Sequence, residues 1–179
     1  YDDGGGRDLL NAYMPHMPSH RLTMNCRNLP RIGYSVNFFS GLTPGYQRFR
    51  RDDDGTNPVL LKYVRGDDQS PLLRDAVEAL RGESYDLSEI VVLSPLGTGS
   101  VAATTTDSWL RSVLIPAEGA AIKKGRIRFA SIQAFKGLEA PAVIVTDLDR
   151  GNVPNFEAVL YVGLTRATDR LYGLIEEGT

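Results

Sequence analysis

A chain of 179 residues, 42% apolar and 23% charged, has the length and composition of one soluble domain with a substantial core. Its formal net charge of −2 argues against nucleic-acid binding by bulk electrostatics, though not against a narrow basic groove. The single cysteine, Cys26, excludes an internal disulfide or a cysteine-rich zinc site and suits a reducing, cytoplasmic setting. No apolar run approaches the roughly 20 residues of a membrane-spanning helix. The start, Tyr1-Asp2-Asp3-Gly4-Gly5-Gly6, has no secretory-signal pattern and no initiating Met, so the chain is expected to be one domain cut from a longer protein. His16 and His20 have no Cys, Asp or Glu spaced around them as metal ligands would be; they are expected at the surface, with no metal bound.

In chain order, residues 21–24 form a short β-like run that leads into Asn25-Cys26-Arg27. Pro30 is suited to the first turn of a helix running to about residue 39. Residues 41–58 hold Gly, Pro and the run Arg48-Phe49-Arg50-Arg51-Asp52-Asp53-Asp54, and predict a loop or exposed hairpin whose charges neutralise one another. Residues 59–64 predict a strand. Ser70 and Pro71 open an amphipathic helix through residue 80, with Ser70 as its cap. Residues 89–94 are apolar throughout, as a strand covered on both faces would be. A helix over 98–111, strands over 113–115, 126–130 and 143–148, a helix over 155–169 capped by Asn155, and a strand over 171–175 complete the alternation. That alternation predicts an α/β fold with a mainly parallel sheet.

Two stretches carry chemistry. The strand ending near residue 130 runs into Ser131-Ile132-Gln133-Ala134-Phe135-Lys136-Gly137-Leu138-Glu139. In an open parallel sheet such turns sit at the carboxyl ends of strands, where ligands bind. Ser131 and Gln133 can hold a phosphate or sugar without reading sequence, Lys136 adds positive charge, Gly137 allows close backbone approach, and Glu139 can accept from a ribose hydroxyl. The plain reading is a helix-opening turn capped by Ser131. Further on, Tyr161-Val162-Gly163-Leu164-Thr165-Arg166-Ala167 ends an apolar helix face with an arginine, whose planar fork suits bidentate phosphate binding. Its plain reading is an Arg that neutralises Asp169 or the helix dipole.

With Asn25-Cys26-Arg27-Asn28 upstream, these segments resemble motifs IV, V and VI of the UvrD/Rep-type superfamily 1 DNA helicases, in that family's order. The resemblance implies that residues 1–179 are one RecA-like three-layer sandwich, the second, C-terminal motor domain of such a helicase. It implies phosphate-facing, catalytic roles for Arg27 and Arg166, nucleotide contact by Gly137 and Glu139, and contact with single-stranded DNA by Ser131, Gln133 and Lys136. In relatives an aromatic residue that stacks on adenine stands where this chain has Cys26. ATP and Mg²⁺ are implied for the full-length parent and its N-terminal ATP-binding domain. The chain has no G-x-x-x-x-G-K-[ST], so this fragment is expected to bind neither and to be inactive alone.

Two other readings stay open at this level. A helicase-like domain can dock nucleic acid or protein without a motor. A Rossmann-type oxidoreductase is suggested by Gly97-Thr98-Gly99-Ser100-Val101-Ala102 after a strand, with Glu118 about twenty residues on.

Overall fold

The computed structural model describes residues 12–13, 23–41, 45–118 and 121–179; the expectations for His16, His20, residues 21–22 and the start of the chain lie outside the described residues. The elements that position the site are, in order, β1 (Met24–Asn25), α1 (Pro30–Ser40), β2 (Arg48–Phe49), β3 (Val59–Tyr63), α2 (Ser70–Gly82), β4 (Ile90–Ser94) and α3 (Val101–Thr104). They continue with α4 (Ser108–Val113), β5 (Leu114–Pro116), β6 (Ile127–Ser131), β7 (Ala140–Leu148), α5 (Phe156–Leu164) and β8 (Ala167–Glu176). Six strands make one sheet in the order β3-β8-β7-β4-β6-β5, with every neighbouring pair parallel.

Strand alternation divides the core. Val91 and Leu93 of β4 and Val143 and Val145 of β7 face α1 and α5, together with Ile132 and Phe135 from the turn after β6. Ile90 and Val92, with Ala142 and Ile144, face α2, α3 and α4. Both faces of the sheet are therefore covered, which is why β4 is buried at every position. This is the three-layer α/β sandwich expected from the sequence.

Five local expectations are corrected. Of the loop or hairpin expected over 41–58, the hairpin is excluded, because β2 pairs in parallel with β1 through Met24–Arg48 and Asn25–Phe49. Its charges do not cancel within the run: Arg51 pairs with Asp169, Asp53 with Arg31 and Asp54 with Arg170. The helix expected over 98–111 breaks into α3 and α4, since Asp107 starts the second by accepting from the Leu110 N–H at 2.8 Å. The helix expected over 155–169 ends at Leu164, and Ala167 already belongs to β8, so Arg166 sits in the turn between them. Neither predicted cap residue caps with its side chain. Asn155 takes the left-handed conformation without a capping bond, and Gln69 precedes α2 in place of Ser70, whose hydroxyl meets Thr105 Oγ1 at 2.7 Å.

The end of β7 is held by a buried carboxylate. Its register against β8 slips between Val145 and Leu148, and within the slip Asp147 adopts a φ of 60°. The carboxylate accepts from Ser94 Oγ and Thr146 Oγ1, each at 2.7 Å, from Gln69 Nε2 at 3.1 Å, and from the Val101 N–H at 3.3 Å. It thereby ties the carboxyl ends of β4 and β7 to the starts of α2 and α3. Asp147→Ala would strand those donors in a closed space, and is expected to cost about 3–5 kcal/mol in urea unfolding. Asp147→Asn keeps the volume and turns one acceptor into a donor, so it should fall between that variant and wild type.

Candidate functional site

Motif IV folds on its own asparagines. Asn25 Oδ1 accepts from the Arg27 and Asn28 N–H groups, both at 3.0 Å, in an Asx turn. Asn25 Nδ2 then donates to Asn28 Oδ1 at 2.8 Å, which orients the Asn28 amide. Asn28 Nδ2 donates to the carbonyls of Thr165 (3.3 Å) and Ala167 (2.5 Å), on either side of Arg166. Leu29 N–H adds a bond to the Thr168 carbonyl at 3.1 Å. Both asparagines are almost fully buried. The turn bearing Arg27 is thus fixed to the turn bearing Arg166 through main-chain partners.

Together they wall a cavity of about 570 Å³. Arg27, Glu139 and Arg166 all line it, so three residues from motifs IV, V and VI share one space. Arg27 Nε lies 2.8 Å from Glu139 Oε2, and both side chains remain partly exposed. Arg166 donates from Nε to the Val162 carbonyl (2.9 Å), from Nη1 to the Leu138 carbonyl (3.2 Å) and from Nη2 to Thr165 Oγ1 (3.0 Å). A guanidinium has five N–H donors, so about two remain for a ligand. Burial, followed by the neighbouring Arg27 charge, pushes the Arg166 pKa down. The plain reading of Arg166 holds in part, because it bonds a carbonyl in the last turn of α5. Asp169, its supposed counter-ion, is instead held by Arg51.

Several cavity residues were not singled out as site residues in the sequence. Arg51 reaches in from the excursion and donates to the carbonyls of Arg27 (3.3 Å) and Thr168 (2.8 Å), beside its ion pair with Asp169. Its position next to Asp52-Asp53-Asp54 hid that role. The hydroxyls of Tyr46 and Tyr161 are hydrogen-bonded at 3.1 Å on the cavity wall. Tyr161 lies within the recognised motif, whereas nothing local in the sequence marks Tyr46. Cys26 also lines the cavity and is exposed.

The remaining motif V residues lie apart from this cavity. Ser131 ends β6, and its Oγ accepts from the Ala134 N–H at 3.0 Å, but the turn it closes leads to β7 and opens no helix, against the plain reading. Gly137 has a φ of 89°, a conformation that disfavours any side chain. Gln133 and Lys136 are exposed. Gln133 borders a second, more apolar groove of about 770 Å³ with Leu96, Val153, Pro154 and Val159. Gly163 lets α5 close on this turn, since a Cβ there would come 3.0 Å from Ile132 Cδ1.

The glycine pattern at 97–102 does not present an open phosphate site. Residues Gly97–Gly99 form a short 3₁₀ turn, and the N–H of Val101 at the start of α3 is already taken by the Asp147 carboxylate. No group of His, Cys, Asp and Glu among the described residues is arranged to hold a metal ion.

Comparison with known proteins bears on the same elements. Residues 126–172 match the family described as UvrD-like helicase C-terminal domain, a span running from β6 into β8 and containing motifs V and VI. The fold is similar to that of the C-terminal domain of a possible DNA helicase from Lactobacillus plantarum WCFS1. That likeness has a TM-score of 0.60 at 18% identity, over 84% of this chain and 87% of that one. The family match covers the β6–β8 segment, and the structural likeness, at that identity, bears on the fold. No curated protein matches the chain.

Burial, followed by the bond to Tyr161, raises the Tyr46 pKa from 10 to about 12. Between those values the unfolded chain has lost a proton that the folded one keeps, so stability falls as pH rises. Tyr46→Phe should flatten its share of that slope in unfolding curves taken across pH 10–12, while Tyr63, also raised to about 12, retains its own. Asn28→Ala is expected to cost about 1–3 kcal/mol at neutral pH. Asn28→Asp should cost more, because a carboxylate would face the Thr165 and Ala167 carbonyls; paired urea titrations test the order.

Proposed function

We propose that this chain is the second motor domain of an ATP-dependent DNA helicase or translocase, completing a nucleotide site whose other wall is an N-terminal domain of the parent protein. The observation that carries the reading is the meeting of Arg27, Glu139 and Arg166 on one cavity, with Arg27 more than 100 residues before the other two.

The donor set suits a polyphosphate. Two guanidiniums close enough to depress the pKa of one of them form a positive locus that an anion relieves. Arg166 is pre-oriented by three bonds and has donors to spare. Arg27 is held by Glu139, so a phosphate takes over the guanidinium as Glu139 turns to a ribose hydroxyl. Gly137 gives the intervening turn its shape. ATP with Mg²⁺ supplies the phosphoryl group whose transfer drives the motor, and the arginines stabilise the charge that develops in that transfer. Ser131, Gln133 and Lys136 hold the single strand at the carboxyl ends of the sheet. Closing the cavity against the partner domain, and reopening it after hydrolysis, moves that strand.

The test is single-stranded-DNA-stimulated ATP hydrolysis by the full-length parent, with and without Arg166→Ala. The substitution is expected to lower the rate by roughly 10³-fold or more. The 179-residue chain by itself is expected to hydrolyse no ATP. An unchanged rate in the Arg166→Ala parent would remove the finger role and leave a helicase-shaped module that binds without a motor.

A further inference from the structure

Tyr46 and Tyr161, 115 residues apart in the chain, bring their hydroxyls to 3.1 Å of each other on the wall of the cavity that also holds Arg27 and Arg166. Both side chains start from fixed positions. Asn37 of α1 clamps the Tyr46 main chain, accepting from its N–H at 3.0 Å and donating to its carbonyl at 3.2 Å. The Tyr46 ring lies edge-on to Phe49 at a centroid distance of 6.3 Å. Tyr161 is held by α5, where its carbonyl accepts from the Thr165 N–H at 3.2 Å. Two phenols carry two hydrogens, and the bond between them uses one. The hydroxyl that accepts keeps its own hydrogen, and neither hydroxyl has another acceptor among the described residues.

The surroundings of that hydrogen favour an anion. Three arginines line the cavity, Arg27, Arg51 and Arg166, against two carboxylates, Glu139 and Asp169. Glu139 is paired with Arg27 and Asp169 with Arg51, and neither bonds a phenol. Burial, followed by the bond to Tyr161, keeps the Tyr46 phenol protonated against the pull of the Arg27 and Arg166 charges. We infer that the Tyr46–Tyr161 hydroxyl pair is a further phosphate-contacting group of this cavity, donating its outward hydrogen to a phosphoryl oxygen of the nucleotide that Arg27 and Arg166 face. This role rests on the reading of the cavity as a phosphate site. A phenol that accepts from a second phenol is the stronger donor for it, because hydrogen bonds in a chain polarise one another. A further cation at this point would repel the guanidiniums, whereas a neutral hydroxyl adds a donor without that repulsion.

The experiment is steady-state ATP hydrolysis by the full-length parent, saturated with single-stranded DNA, for the wild type, Tyr46→Phe, Tyr161→Phe and the double variant. Each substitution removes one oxygen and keeps the ring. The double variant is expected to lower kcat/KM by about 10-fold or more, the loss of a hydrogen bond to a charged group. Either single variant leaves one phenol to donate and should lose less. Single-stranded-DNA affinity without nucleotide, read by fluorescence anisotropy, should be unchanged in all three, because Ser131, Gln133 and Lys136 do not line the cavity. A double variant with wild-type kcat/KM would overturn the role of the pair. So would a loss matched by an equal loss of strand affinity, the mark of a damaged fold. Arg166→Ala, run in parallel, separates this role from the motor itself. A large loss there beside an unchanged double variant discards the tyrosines and keeps the phosphate site. Unchanged rates in both discard the phosphate site, and the tyrosine role with it.

Discussion

Asn28 donates both hydrogens of its side-chain amide to main-chain carbonyls 137 and 139 residues away, and Asn25 holds that amide in the required orientation. The buried pair joins the turn after β1 to the turn before β8. A buried amide with every hydrogen placed is costly to leave half-satisfied, so the two turns have one low-energy arrangement rather than a range of them. Arg27 and Arg166 project from those turns. Their common cavity is therefore a consequence of main-chain fixing by asparagines, with neither arginine required to hold the other in place. Two like charges would not gather there unaided.

The charged groups around that frame are organised at long range. Arg51 reaches from the excursion to Asp169 and to two carbonyls, and Arg170 joins Asp54 to Glu83. Burial by itself would lower the Arg170 pKa, but the bonds to the Glu83 and Asp54 carboxylates outweigh it and raise that pKa. A polar loop that would otherwise move freely is thereby held against the start of β8, beside the cavity. The buried Asp147 works differently. It fills the start of α3 from within and locks the carboxyl ends of two central strands. The same contact that stabilises this corner removes it as an anion site.

The sequence by itself determined the strands and their burial. An apolar run such as Ile90–Ser94 has no polar face to give to water, so it belongs in the middle of a sheet. It also marked the turn from Ser131 to Glu139, which joins β6 to β7, and the Thr165-Arg166-Ala167 segment at the end of α5. Element ends were less legible. Ala167 to Arg170 continues a helical pattern by composition, yet pairing with β7 draws it into β8. Backbone hydrogen bonds offered by a neighbouring strand outweigh propensities worth a few tenths of a kcal/mol per residue.

Only the tertiary structure decided which residues meet. Arg48 to Asp54 looks self-neutralising because opposite charges adjoin in the chain, but its Arg51, Asp53 and Asp54 pair with Asp169, Arg31 and Arg170. Arg51 and Tyr46 both line the cavity, and no local pattern around either one marks it. Gly97 to Ala102 is the converse case: a pattern that reads as phosphate-binding until Asp147, some 46 residues on from Val101, occupies the helix start. Local sequence fixes which groups are available. Through-space contacts between distant segments fix which of them remain free to bind.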